Sequence, residues 1–577
     1  MISDSKRRLA LFALLAASIL PYFIDLGGSS IWDANEAFYV ETPREMLVRG
    51  DFISPTFNDL PRLNKPVLSY WIVAAFYKVF GVSVGVQRLP IALGALVLIL
   101  TAFALARAGA DPPHETGGHA VESALWAAAG LAVAPRLMMF GRRIFIDIYI
   151  SMFMALTLLF FALAERYPQR RRPFLLLMYA SVGLGVLTKG PVAAALPALV
   201  FAIYLVVHGE LKRVREMMLP AGVAVVLAIA VPWYAALYHR YGWTYITSFF
   251  VGENIARYTE GLGVETRRGP FFYVPVVFSD AFPWSLCLFG AAGLWCADWR
   301  VFRHDSAGRG LQTATYTDRQ LAFRVRTLLW IWVLGIVAFF SFSAAKQDLY
   351  IFPIVPAVAA LAGLFVARED AAGKPARPVS LRTTAGVIGL LLAVAGVGTL
   401  YIFQAGGKVY ALDGAAFVGT LAAIGGAVAL VLASANRARA ALAVVLLSLV
   451  TLNWAFVIRV LPSFERYKPV PPLSAAIRAG MTDDAVVAHY NVALPSMVYY
   501  LGRHIEILFD RDVFLQLLRG DRQVFAVVSA SDYAELGPVA GVTTCVLDRR
   551  PTVNIKLKAV LARDPLPEVL LITNRCR

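Results

Sequence analysis

Residues 86–106 read VQRLPIALGALVLILTAFALA, and beyond Arg88 the run holds no charged side chain. A helix climbs about 1.5 Å per residue, so about twenty such residues cover the roughly 30 Å of hydrocarbon in a bilayer. Runs of the same character recur at 144–164, 217–237, 272–296, 325–342, 383–403 and 440–460. Lipid offers the backbone no hydrogen-bond partner, so spans of this kind are helical. The chain of 577 residues is 59% hydrophobic and 16% charged, too apolar for a soluble protein of that size. The expected fold class is an all-α polytopic membrane protein.

Window length and flanking charge together mark about thirteen spans. They lie near 9–26, 86–106, 121–140, 144–164, 173–188, 191–207, 217–238, 272–296, 325–343, 350–367, 383–404, 415–434 and 440–461. Lys6, Arg7 and Arg8 precede the first span and set the N-terminus in the cytoplasm. Residues 22–26 offer no small-residue cleavage pattern, so this start reads as a retained span rather than a signal peptide. Counting sides alternately then places 166–172, 212–215, 300–326, 368–382 and 437–439 inside, and these segments hold most of the loop Lys and Arg. The net charge of +16 is accounted for by that bias, and nucleic acid is not an expected partner. An odd number of spans leaves the tail outside, in the periplasm of a bacterial-type inner membrane.

Three outward stretches are more than turns. Residues 27–85 are rich in Trp, Tyr, Pro and charge, and within them 34–49 and 67–80 read as helices lying along the membrane surface. Residues 239–270 carry Glu253, Asn254, Arg257, Tyr258, Arg267 and Arg268. Residues 463–577 show short strand patterns at 485–490, 504–509, 523–529, 543–547 and 568–573 with helical stretches between them, which predicts a small extracytoplasmic α/β domain following a membrane domain over 1–462. Of the four cysteines, Cys287 and Cys296 share a span as packing residues, while Cys545 and Cys576 in the tail are either bridged or free.

Ionisable groups at a membrane face need pairing or a function to offset their burial. Asp33 and Glu36 flank the mouth of the first span beside Trp32, and Asp147 stands in GRRIFIDIYISMF at the outward start of another. A carboxylate there either pairs with the Arg142–Arg143 dipeptide or takes a proton from a hydroxyl and stabilises positive charge on a sugar ring. Glu41, Arg44 and Glu45 read as a salt-bridged face of an exposed interfacial helix. Lys65, Lys189 and Lys346 fall at outward ends against the positive-inside bias, and with Arg142, Arg143, Arg267 and Arg268 they suit a phosphate better than bulk lipid head groups. No Gly-rich loop ending in Lys-Ser/Thr is present, and no His pair has metal-ligand spacing. An outward-facing enzyme without a nucleotide site needs an activated substrate already in the membrane, and a polyprenyl-phosphate sugar meets that need.

The run IWDANEAFYVETPREM, then GDFISPTFNDLPRLNKPVLSYWIVAAFYKVFG, resembles the start of the glycosyltransferase family that includes bacterial aminoarabinose lipid A transferases and, more distantly, protein O-mannosyltransferases. The likeness continues through Asp147, TKGP, ENIARY, RRGPFFYVPV, FPW and KQDLYIFPIVP, over about the first 360 residues. It implies a GT-C membrane fold with its catalytic face outside, a polyprenyl-phosphate-linked sugar as donor and an extracytoplasmic acceptor such as lipid A, a glycan or a protein. It also implies that Asp147 is one family acid, that Lys65 meets the donor phosphate, and that Lys346 and Tyr350 lie near it. The chain departs from the family where an Asp-Glu pair would follow Trp32: here it reads Asn35-Glu36, so either Asp33 or Glu36 takes over. Asn64 and Arg267 stand where relatives carry a metal-associated Glu and His, so no zinc site of that kind is expected, although the sequence leaves other divalent metals open. The competing readings are a transporter or flippase of lipid-linked sugars and a scaffold whose tail recruits partners.

Overall fold

The computed structural model describes residues 4–112, 119–260, 268–307, 316–368, 380–405, 411–536, 543–553 and 564–576. Among them, eight helices are long and apolar enough to cross a membrane: Val84–Gly109, Ile146–Arg166, Leu219–Tyr241, Asp318–Ser341, Asp348–Arg368, Leu381–Phe403, Ala415–Ser434 and Ala438–Tyr467. The chain is therefore a multi-pass membrane protein. Two more expected spans are bent pairs, His119–Ala132 with Pro135–Gly141 at 63° and Pro270–Asp280 with Trp284–Phe302 at 116°. Each break holds a proline, which withholds an N–H from the helical ladder and starts the second piece. The remaining three, Arg8–Tyr22, Arg171–Lys189 and Val192–Val207, are helices that are shorter or open on charge.

Asp348–Arg368 runs through the centre of the bundle, while Leu219–Tyr241 and Leu381–Phe403 turn side chains such as Leu227, Val231, Val394 and Val397 outward. In lipid no hydrophobic force drives apolar helices together, so they associate through close backbone approach. Gly363 shows this: a Cβ there would fall 2.3 Å from the Ser123 carbonyl oxygen of the neighbouring helix. At the far end of Ile146–Arg166, buried Glu165 accepts hydrogen bonds from Arg324 (3.0 Å) and Arg213 (3.0 Å) and pairs with Arg171 (3.2 Å), which ties three elements together.

The helix expected on the membrane surface at 34–49 forms as Asn35–Arg49, but it is not an exposed interfacial helix. Glu41 and Glu45 are buried, because Leu68–Phe80, the first-loop hairpin and the tail helix Ser496–Leu501 all pack on that helix. Glu41 pairs with Arg44, and Glu45 accepts from Thr56 Oγ1 (2.5 Å) and Asn58 N (2.7 Å). Those bonds hold a small hairpin, β1 (Thr56–Phe57) and β2 (Leu60–Pro61), against the helix.

The tail forms a five-stranded sheet from β3 (Val486–Tyr490), β4 (Glu506–Leu508), β5 (Val524–Ser529), β6 (Cys545–Pro551) and β7 (Glu568–Thr573), in the order β4-β3-β5-β7-β6. β3 is parallel to β4 and β5, and β7 is antiparallel to β5 and β6. Cys545 and Cys576 are bridged, stapling β6 to the residues after β7, and Cys287 and Cys296 are free. The sheet unit docks on the first loop through side-chain bonds to backbone. Asn58 Nδ2 donates to the Ile505 carbonyl (2.8 Å), and the Ile505 N–H donates back to Asn58 Oδ1 (2.9 Å).

Candidate functional site

One buried arginine organises the first loop. Arg88, near the start of Val84–Gly109, donates from Nε and Nη2 to the two Glu36 oxygens (2.8 and 2.9 Å). It also donates to the carbonyls of Leu26 (2.9 Å), Ser29 (2.7 Å) and Ser30 (3.0 Å). Glu36 further accepts from the N–H of Trp32 (2.9 Å). Burial raises the Glu36 carboxyl, but the Arg88 charge and the hydrogen bonds from Arg88 and Trp32 together outweigh it and hold the group below its ordinary value. Asp33 accepts from Ser496 N (2.7 Å) and Oγ (2.6 Å) in the tail, and burial pushes it up to about 6 against those two bonds. Trp32 lies between Arg143 (4.5 Å from its ring) and Lys468 (3.9 Å). Arg142 donates to the carbonyls of Pro21, Ile24 (2.7 Å) and Asp25 (3.0 Å), closing the end of the first helix.

Beyond this knot opens a cavity of about 800 Å³. Asn35, Phe38 and Tyr39 from Asn35–Arg49 form one wall of it. Successive helical residues point about 100° apart, so Asn35 faces the cavity while Glu36 faces Arg88. Neither Asp33 nor Glu36 lines it, and their carboxylates are committed to Ser496 and Arg88. Arg142, Lys346 and Arg268 also stand outside the lining. Lys346 is buried and donates to the Ser343 carbonyl, and Arg268 donates to the Lys346 carbonyl (3.0 Å) and stacks on Phe272. Lys346 thus bonds to the cavity-wall residue Ser343, with Arg268 behind it, while Arg142 bonds to the end of the first helix. Arg267 lies outside the described residues.

Asp147, Lys65 and Tyr350 do line the cavity, joined there by Arg62, Lys189, Glu253 and Arg257. Asp147, in the first turn of Ile146–Arg166, pairs with Lys189, whose ammonium also lies 5.5 Å from the Tyr350 ring centroid. Lys65 (2.9 Å) and Arg257 (3.0 Å) both donate to one oxygen of Glu253. Burial lowers the Lys65 ammonium from its ordinary value, with Glu253 opposing that shift. Among the described lining residues four are cationic and two are carboxylates, which leaves two positive charges in excess. From Asp147 and Lys189 the cavity follows two helices away from the charges, past Ile150 and Met154 and past Val192 and Leu196. Met154 lies seven residues beyond Asp147, a rise of about 10 Å. A polar head and an apolar trough are thus continuous.

Two local devices set the polar head. Glu253 and Asn254 sit on Thr247–Ala256, a π-helical segment of a kind that is rare and concentrated at functional sites. Lys189 ends its helix at Gly190, whose φ of +89° and ψ of −156° fall in a region open almost only to glycine. A Cβ on Gly190 would also fall 2.8 Å from Phe249 of the π-helical segment. Gly190→Ala is expected to lower stability by about 1–3 kcal/mol, which thermal unfolding checks.

Arg62, Glu253 and Arg257 were not singled out as site residues from sequence. The signal was there in NK at 64–65 and in ENIARY, whose spacing puts Glu253 and Arg257 one turn apart. Among the described residues no three His, Cys, Asp or Glu side chains gather closely enough to hold a metal ion.

The fold matches solved structures over nearly the whole chain. The apo structure of ArnT from Cupriavidus metallidurans superposes with a TM-score of 0.73, at 22% identity, over 99% of both chains. The same protein bound to undecaprenyl phosphate gives 0.72 over 98% of both. The chain has the GT-C fold. A family profile described as dolichyl-phosphate-mannose-protein mannosyltransferase matches residues 64–235, a stretch that includes Lys65, Asp147 and Lys189. An undecaprenyl phosphate-alpha-4-amino-4-deoxy-L-arabinose arabinosyl transferase of Pseudomonas fluorescens is 27% identical over 71% of this GT-C chain. The matched part spans 66% of that relative's own length. A Pseudomonas aeruginosa protein of the same name is 29% identical over 70% of this chain and 67% of its own.

Proposed function

We propose that this chain is an integral-membrane glycosyltransferase that moves one sugar from a polyprenyl-phosphate carrier to an acceptor outside the cytoplasm. The observation that carries the reading is the two-part cavity: a head with two surplus positive charges, open to an apolar trough beside Asp147 and Lys189. An isoprenoid chain fits the trough and its phosphate fits the head. The surplus equals the double charge of the phosphate monoester that leaves. In the transfer step the acceptor oxygen bonds to the anomeric carbon as the bond from that carbon to the phosphate oxygen breaks. The acceptor proton goes to Asp147, and the growing phosphate charge falls to Lys65, Lys189, Arg257 and the Tyr350 hydroxyl. A single in-line displacement inverts the anomeric centre.

Asp33 and Glu36 serve this reading by holding the loop that presents Asn35 and Tyr39. The orientation that fits is a cytoplasmic N-terminus and a periplasmic tail in a bacterial inner membrane, which places the head of the cavity on the outer side. Asn64 at the cavity wall offers a neutral amide where the relatives carry a metal-associated Glu, so a zinc site of that kind does not enter the scheme.

The test supplies purified protein in lipid with a panel of radiolabelled polyprenyl-phosphate sugars and a membrane extract as acceptor source. Loss of label from one carrier, with its appearance on an acceptor and no effect of a chelator, is the expected result. Label that crosses a vesicle bilayer still joined to its lipid would replace this reading with transport.

A further inference from the structure

Glu253 is the one cavity carboxylate, among the described residues, that the transfer scheme leaves without work. It is also the most heavily used: a single oxygen accepts from the Lys65 ammonium at 2.9 Å and from the Arg257 guanidinium at 3.0 Å. Those cations reach it from separate parts of the chain. Lys65 comes from the first loop, and Arg257 lies just past the π-helical segment that carries Glu253 itself. Lys65 also lies near enough to Lys189 and Arg257 to be repelled by both. Three cations converging on one small volume require an anion there, and in the donor-free chain Glu253 and Asp147 supply it. The charges of both carboxylates also reach the buried Tyr39 hydroxyl in the cavity wall.

We propose that Glu253 is a positioning residue that occupies the place of the donor phosphate in the empty site. Its single shared oxygen holds Lys65 and Arg257 at the separation one phosphate oxygen needs, and the incoming phosphate displaces it. Glu253 thereby keeps the cations ordered between turnovers and competes with the carrier lipid, which speeds release of the spent polyprenyl phosphate. This inference rests on the polyprenyl-phosphate reading above and adds to it a residue that sets affinity.

The test is an equilibrium titration of the full chain in detergent with a short-chain polyprenyl monophosphate, which carries no sugar. Glu253→Gln removes the competing charge and is expected to tighten binding by about tenfold. With the full donor, KM falls and kcat falls with it, as release becomes slower. Glu253→Asp restores the wild-type values, and Lys65→Ala in the Glu253→Gln background abolishes the gain. A purely structural carboxylate gives the opposite result, weaker binding in Glu253→Gln along with a lower unfolding temperature. Unchanged or weaker binding by a folded Glu253→Gln protein overturns the inference while wild-type binding still supports the enzyme reading. If the wild-type chain binds no polyprenyl phosphate at all, both readings fail.

Discussion

Asp147→Asn is expected to lower the transfer rate by about 10²–10⁴-fold, the range that removal of a positioned general base commonly costs, with the fold unchanged. Asparagine is nearly isosteric, so the first turn of Ile146–Arg166 keeps its packing and the amide oxygen still accepts from Lys189. What is lost is the basic oxygen for the acceptor proton. The substitution also removes one negative charge from the cavity head, where cations already outnumber carboxylates. Donor binding therefore holds or tightens, and the loss falls on kcat and not on KM. Single-turnover transfer with donor in excess, beside a donor titration and thermal unfolding of the same preparation, separates these effects. Full transfer by a folded Asp147→Asn protein would remove Asp147 from the mechanism. A rise in KM alone would make it a ground-state binding residue.

The sequence reading found the spans, the tail strands and one side of the site, and it stopped at features that depend on facing. Each of the five tail strands was legible within a few residues, because short β-prone runs between turn residues are short-range patterns. Of the thirteen expected spans, eight are single helices long and apolar enough to cross among the described residues and two are bent pairs, and the 63° and 116° bends were not legible, since composition does not report where a proline breaks a run in space. Asp147 and Lys65 were found because a charge beside a span is visible in one dimension. Asp33 and Glu36 carried the same signal with a different outcome. Their carboxylates turn to Ser496, more than 400 positions along the chain, and to Arg88, and no local pattern encodes either contact. The burial of Glu41 and Glu45 escaped for a related reason: the hairpin that bonds Glu45 and the tail helix packed on Asn35–Arg49 meet that helix only in the fold. Glu253 and Arg257 were visible as an i, i+4 pair, yet only the fold brings Lys65 to them.

Arg88→Met is expected to destabilise the chain by about 3–5 kcal/mol, the cost of breaking a buried ion pair from one side. Arg88 is 1% exposed and its guanidinium satisfies both Glu36 oxygens and the carbonyls of Leu26, Ser29 and Ser30. Methionine fills much of the same volume but donates nothing, so three carbonyls and a buried carboxylate lose their partner together. The loop that follows the first helix then loses this anchor to the membrane bundle and keeps the Arg142 bonds at its start. That loop carries Ile31, whose N–H donates to the Tyr500 hydroxyl (2.9 Å), Asp33 on Ser496, and the Asn35–Tyr39 wall of the cavity. Loss of the anchor should lower the unfolding temperature in detergent, expose the tail junction to protease and reduce donor binding, all in one variant. Adding Glu36→Leu should recover part of the stability, because the orphaned carboxylate is then gone, without recovering the loop's position or its activity. An Arg88→Met protein that unfolds at the wild-type temperature would show that the knot is dispensable. Stability recovered together with full activity in the double variant would show that neither the ion pair nor the bonds to the three carbonyls hold the loop in place.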